Sequence, residues 1–213
     1  MVTKTEIKSY GVRALLSRHP EIRKLKQVYP SSVHGNKIWA SSWLLMDYFK
    51  HQGLGQSARV MEIGCGWGLT GIYCAKNHGA IVTGLDTDPD VFPYLQLHAD
   101  LNKVQVTTLR RSFEKIKKGE LEKVDVLIGA DICFWDSMID SLTKLLRRAI
   151  RSQVPLILIA DPGREPFDKM SDYFVTRQKG EVLDWRVKRP RNIQGRILKI
   201  GKYDKSRTEI PLK

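Results

Sequence analysis

The chain has 213 residues and a formal net charge of +13, with 42% hydrophobic and 28% charged residues. This excludes a disordered chain and leaves one domain, or one domain with small appendages, able to bury a core without staples. The longest apolar run, Val154 to Ala160, is far short of a membrane span, so no membrane partner is expected.

Residues 1–30 read as a basic helical preface, with a helix start at Pro20 and a stop at Pro30. Residues 31–36 read as a loop. A helix then begins at Ser41 or Ser42, capped by a hydroxyl, and runs to Gly53. The domain organisation expected is a basic helical N-terminal extension over 1–35 and a main domain over 36–213.

From there the pattern alternates. Strands are expected at Arg59–Ile63, Ile81–Leu85, Val104–Leu109, Val124–Ile128 and Leu156–Ala160. Helices are expected between them, at about 69–77, 90–102, 137–151 and 168–179. Such alternation predicts an α/β fold, a parallel sheet with helices on both faces. Val182–Val187 and Arg196–Ile200 have no room for a helix between them. They must form a hairpin, so the sheet should end antiparallel.

The positive excess lies at the two ends: residues 1–35 carry a net +5 and residues 151–213 a net +7, while 36–110 are neutral. Ends folded over one face favour an acidic macromolecular partner, a protein with an acidic surface or a nucleic acid. Solubility alone is the other reading. Cys65, Cys74 and Cys133 show no paired or metal-type spacing, and the five histidines are scattered. Neither a disulfide scaffold nor a metal site is expected, and the natural setting is a reducing one, the cytoplasm. Lys4, Glu6 and Lys8 have no apolar stretch behind them, so no secretory signal is expected.

The most informative segment is Glu62-Ile63-Gly64-Cys65-Gly66-Trp67-Gly68. It follows a strand and opens a helix, the setting of a nucleotide-binding loop. The spacing is GxGxG rather than GxGxxG, because position 69 is Leu. A tighter loop with an acidic residue ahead of it suits a ligand without a phosphate. Asp86 ends the next strand, 22 residues after Gly64, where a carboxylate can accept both hydroxyls of a ribose. A Gly-rich turn with a capping Asp is the structural alternative.

This segment with Asp86 resembles the cofactor site of the class I, seven-stranded S-adenosylmethionine-dependent methyltransferases, which have a Rossmann-like fold and an antiparallel final hairpin. Trp39-Ala40-Ser41-Ser42, Ala130-Asp131-Ile132-Cys133-Phe134 and Ala160-Asp161-Pro162-Gly163-Arg164 are similar to the methyltransferase-like group that includes many protein-lysine methyltransferases. The last two resemble the branch near the electron-transfer-flavoprotein β-subunit lysine methyltransferase. The resemblance covers about residues 36–200. It implies S-adenosyl-L-methionine as cofactor, S-adenosyl-L-homocysteine as product, and direct methyl transfer, without metal, to a macromolecular acceptor, foremost a protein lysine.

Two departures stand out: Arg111-Ser112-Phe113 where the family often has an acidic residue and a Trp near the adenine, and Ala40 where it tends to have Pro. The cofactor residues implied are Trp39, Glu62, Gly64, Cys65, Gly66, Gly68, Asp86, Thr87, Ser112, Phe113, Ala130 and Asp131. Asp131 and Phe134 are the expected catalytic residues. Asp131 would orient the amine, and Phe134, with Trp135, would wall the transfer channel. For Asp131 a helix cap is the alternative, for the aromatics ordinary core packing, and for Arg164 a surface ion pair. Lys188-Arg189-Pro190-Arg191 sits at the hairpin tip, touching substrate or merely solvated. RNA methylation, small-molecule N-methylation and a non-catalytic binding module are the rival functions. No Asn/Asp-Pro-Pro-aromatic motif supports the first, and the intact loop argues against the last.

Overall fold

The computed structural model describes residues 5–31 and 34–204. Residues 32–33 of the expected 31–36 loop, and 205–213 of the main domain, lie outside the described residues. The elements are β1 (Glu6–Ser9), β2 (Val12–Leu15), α1 (Pro20–Val28), α2 (Ser41–Gln52), β3 (Arg59–Ile63), α3 (Leu69–His78), β4 (Ile81–Asp86), α4 (Phe92–Asn102), β5 (Thr107–Arg110), α5 (Lys118–Leu121), β6 (Val126–Ala130), α6 (Asp136–Arg151), β7 (Leu156–Asp161), α7 (Glu165–Gln178), β8 (Glu181–Val187) and β9 (Ile193–Gly201).

Seven strands form one sheet in the order β5-β4-β3-β6-β7-β9-β8. The pairs from β5 to β7 are parallel, and β9 runs antiparallel to both β7 and β8. The expected Rossmann-like sheet with its antiparallel end is therefore present. Successive strand residues face opposite layers. Val60, Val126, Ile128, Leu156 and Leu158 pack with α2, α3 and α4. Met61, Ile63, Leu127, Ile157 and Ile159 pack with α6 and α7. Burial on both faces is why these strands read as nearly continuous apolar runs. On α6 the stripe Leu142, Leu145, Leu146, Ala149 is fully buried; truncating one of its leucines to Ala would cost about 2–5 kcal/mol.

The chain order places β3 and β6 side by side and sends the chain outward in both directions from them. This switch point opens a crevice beyond the carboxyl ends of the two strands.

Several expectations need correction. Residues 6–15 are a hairpin, not a helix. Tyr10 and Gly11 both have positive φ, 53° and 74°, which closes a two-residue turn between Ser9 and Val12. The helix of the preface is confined to Pro20–Val28. On α2 the residue preceding the first turn is Ala40, and no side chain of the helix's own start caps it. The cap comes from Asp131, whose carboxylate accepts the Ser41 N–H at 2.8 Å. The fifth strand starts at Thr107 rather than Val104, and α7 starts at Glu165, three residues early, with Pro166 in its first turn.

Candidate functional site

Ile63 ends β3 beside Leu85 of β4, and the chain turns at once into the glycine loop. Gly64, Gly66 and Gly68 have φ of 57°, 49° and 69°. A side chain at Gly64 would run into Ile132, whereas one at Gly66 would meet nothing within 4 Å. The Gly66 backbone thus lies bare to an approaching ligand.

Two carboxylates hold this loop and the start of α3 behind it. Asp86 accepts the Gly66 N–H at 3.0 Å and the Asp88 N–H at 3.1 Å, one on each oxygen. Each oxygen keeps a lone pair, which suits a pair of vicinal hydroxyls. Glu62, 3% exposed, accepts the Gly71 N–H at 2.9 Å in the first turn of α3. Burial pushes its pKa up to about 7, while the Gly71 N–H pulls the other way. Burial raises Asp86 as well.

At the end of β6, Asp131 adopts φ 58° and is 4% exposed. One oxygen accepts the Ser41 N–H, and the other takes the Arg164 guanidinium at 2.8 Å. Burial raises its pKa against the pull of those partners. Arg164 also grips Asp161 at 2.6 Å, and Asp161 caps its own turn by accepting the Gly163 and Arg164 N–H groups. An aromatic group gathers here. Phe134 lies 4.5 Å from the His34 ring and 5.2 Å from Trp39, centroid to centroid. The Trp39 indole N–H donates to the His34 carbonyl at 2.6 Å, and the Lys37 ammonium sits 4.2 Å above the Trp39 ring.

The glycine loop, Asp86, Asp131 and the aromatic group border one cavity of about 390 Å³. Trp39, Glu62, Gly64, Cys65, Gly66, Gly68, Asp86, Thr87, Ser112, Phe113, Ala130, Asp131 and Phe134 all line it. Asp161 and Arg164 do not; they stand behind Asp131 and Phe134. The hairpin tip with Lys188, Arg189 and Arg191 lies beyond the carboxyl end of β7, because Asp161 pairs with Arg196 and the tip precedes it.

Sequence reasoning missed His34, Gly35, Trp67, Ser137, Met138 and Ser141, which also line the cavity. Trp67 donates to the Gly35 carbonyl at 2.8 Å and stacks on Tyr94 at 5.1 Å. Its place inside the glycine loop was the available signal. The α6 residues carried none, because only packing brings that helix start over the cavity. Among the described residues, no group of three or more His, Cys, Asp or Glu could hold a metal ion, and no helix is long and apolar enough to cross a membrane.

The profile of a family described as lysine methyltransferase matches residues 21–179. The chain belongs to the lysine methyltransferase family. Relatives within reach of sequence comparison include an electron transfer flavoprotein beta subunit lysine methyltransferase of Xenopus laevis, 26% identical over 161 residues, covering 73% of this chain and 63% of that protein. A histidine protein methyltransferase 1 homolog of Dictyostelium discoideum is 29% identical over 126 residues, covering 55% and 40%. The chain thus spans less than two thirds of the length of these curated relatives. Its fold is similar to a methyltransferase from Pyrococcus furiosus, with a TM-score of 0.58, 19% identity and coverage of 87% and 99%. It is also similar to a Pyrococcus abyssi tRNA (uracil-54, C5)-methyltransferase in complex with S-adenosyl-L-homocysteine, with a TM-score of 0.56, 16% identity and coverage of 92% and 43%. The class I methyltransferase fold expected for this family member is the one observed.

Proposed function

We propose that this lysine methyltransferase family member binds S-adenosyl-L-methionine and transfers its methyl group to a lysine side chain of a protein with an acidic surface. The observation that carries the reading is the single cavity shared by the bare Gly66 backbone, the Asp86 carboxylate, and the Asp131–Phe134 wall. When bound, the cofactor supplies a methyl group already activated by a sulfonium sulfur.

The chain's own residues bind, orient and exclude water. Gly64, Cys65, Gly66 and Gly68 give backbone contact. Asp86 takes the ribose hydroxyls, and Thr87 extends that rim. Ser112 and Phe113 take the adenine. Glu62 holds the α3 start and faces the donor's amino-acid end, and Ala130 and Trp39 close the sides. Asp131 and Phe134 receive the acceptor amine, the first by a hydrogen bond, the second by its ring face. Lys37 at the cavity and the basic hairpin tip beyond β7 support docking of a partner with an acidic surface. The three cysteines are free and buried, which supports a reducing compartment such as the cytoplasm.

The test is a labelled-donor assay on cell extract, untreated, nuclease-treated or protease-treated, followed by amino-acid analysis. Label lost with protease and recovered as methyl-lysine supports the reading. Label lost with nuclease, or recovered as methyl-histidine, overturns the acceptor.

A further inference from the structure

The Arg164 guanidinium is bound between two buried carboxylates and an aromatic face. It meets Asp131 at 2.8 Å and Asp161 at 2.6 Å, and its carbon lies 4.5 Å from the Phe134 ring centroid. Asp131 is 4% exposed and Asp161 is fully buried, while the Arg164 side chain is 25% exposed. The charges around it are otherwise committed. Asp136 at the start of α6 and Glu165 on α7 both pair with Lys169. Arg196 of β9 pairs with Asp168 and Asp184. The Cys133 thiol beside them is pushed up to about 11 by burial and stays neutral. From α2 the group receives the Ser41 N–H. Arg164 is therefore the cation shared by the two carboxylates, and it offsets part of the charge that Asp131 turns toward the cavity.

That offset has a chemical consequence. A bare buried carboxylate attracts any cation in the cavity and stabilises an incoming amine as ammonium. An ammonium has no lone pair and cannot attack a methyl group. Resting on the lysine-methylation reading above, we propose that Arg164 is a positioning residue that sets the net charge of the acceptor end of the cavity, so that the amine arrives there neutral, while its contact with Phe134 holds that ring in the channel wall.

Two probes differ by one methyl and one positive charge: S-adenosylmethionine and S-adenosylhomocysteine. Their dissociation constants, measured by calorimetry on the full chain, report the field directly, without any acceptor. Relative to wild type, Arg164→Met should shift the ratio toward the cationic donor ~10-fold, the scale of one uncompensated charge at an effective protein dielectric. Arg164→Lys keeps the charge and should leave the ratio near wild type. Should Arg164→Met fail to fold, Arg164→Gln keeps a hydrogen-bond donor between the two carboxylates without the charge and should show the same shift. In the extract assay, the acidic limb of the rate–pH profile should move up by about one pH unit in the Met variant, because its amine holds its proton longer. Equal weakening of both probes, an unmoved pH limb, or a Lys variant behaving like Met overturns the proposal. Failure of wild type to bind either probe overturns instead the methyltransferase reading on which it rests.

Discussion

Asp131 accepts the backbone N–H of Ser41 at 2.8 Å, from 90 residues further along the chain. The carboxylate at the end of β6 is thereby the cap of α2, and it is also a wall of the cavity. One side chain fixes the approach of the Trp39–Ser42 segment and faces the acceptor end.

This double role separates two substitutions. Asp131→Ala leaves the Ser41 N–H unpaired, takes one of the two carboxylates from Arg164 and forces Ala into positive φ; it should cost ~3 kcal/mol in urea unfolding. Asp131→Asn keeps an acceptor and tolerates that conformation, so it should cost ~1 kcal/mol. At saturating donor its single-turnover rate should fall ~10²-fold, the scale of a lost positioning group. A normal rate there would mean that Asp131 is only a cap.

Asp86→Ala removes a charged acceptor next to the Gly66 backbone. Donor affinity by calorimetry should weaken by about 2–3 kcal/mol, and excess donor should partly restore the rate. Unchanged affinity would separate Asp86 from the ribose.

Glu62 gives a pH signature. Its folded pKa, about 7, is above the ordinary 4.5. Between those values the native state holds the proton more tightly, so the group's contribution to stability falls as pH rises through this window. Buried His98, whose pKa is lowered, acts in the opposite sense on the acid side, and burial-raised Asp86 and Asp131 act in the same sense as Glu62. Comparing wild type with Glu62→Gln, which can still accept from Gly71, cancels those groups. From pH 5 to 8 wild type should lose on the order of 3 kcal/mol relative to the variant in urea melts. Parallel curves would place the Glu62 pKa near its ordinary value.

If the basic ends dock an acidic protein, the apparent affinity for that protein should fall steeply between low and physiological salt, while donor affinity barely moves. Equal salt sensitivity for both would leave the charge a solubility feature.

The central parallel strands were legible because they are buried on both faces, so Arg59–Ile63 and Leu156–Ala160 read directly as apolar runs before a turn, whereas the exposed edge strand β5 did not show its start. The glycine loop and Asp86 were legible because their chemistry is local. What the sequence hid is long-range. Nothing near Ser41 announces a cap from Asp131, and nothing near Arg164 announces Phe134. The N-terminal hairpin was hidden for a different reason. Its turn places Tyr10 at φ 53°, where Asn or Asp would have advertised it, and β2 is held by α4 rather than by its own pattern.

That last attachment is open to a direct test. Asn102, 3% exposed at the end of α4, accepts the Arg13 N–H at 2.9 Å and donates to the Arg13 carbonyl at 2.8 Å. Four residues earlier, His98 accepts the Leu15 N–H at 3.0 Å on Nε2. Val12 and Ala14 are fully buried in the same core as β3 and α3. Asn102→Ala therefore strands a donor and an acceptor of the hairpin backbone and should cost ~3 kcal/mol in urea unfolding. Lys76, exposed, reaches the same side-chain oxygen at 3.1 Å, and Lys76→Ala should cost less than ~1 kcal/mol. Native-state hydrogen exchange should show the Arg13 and Leu15 amides protected close to the global limit in wild type, with Arg13 losing most of that protection in Asn102→Ala. Fast exchange at both amides in wild type would make the hairpin a loose appendage instead of a part of the core.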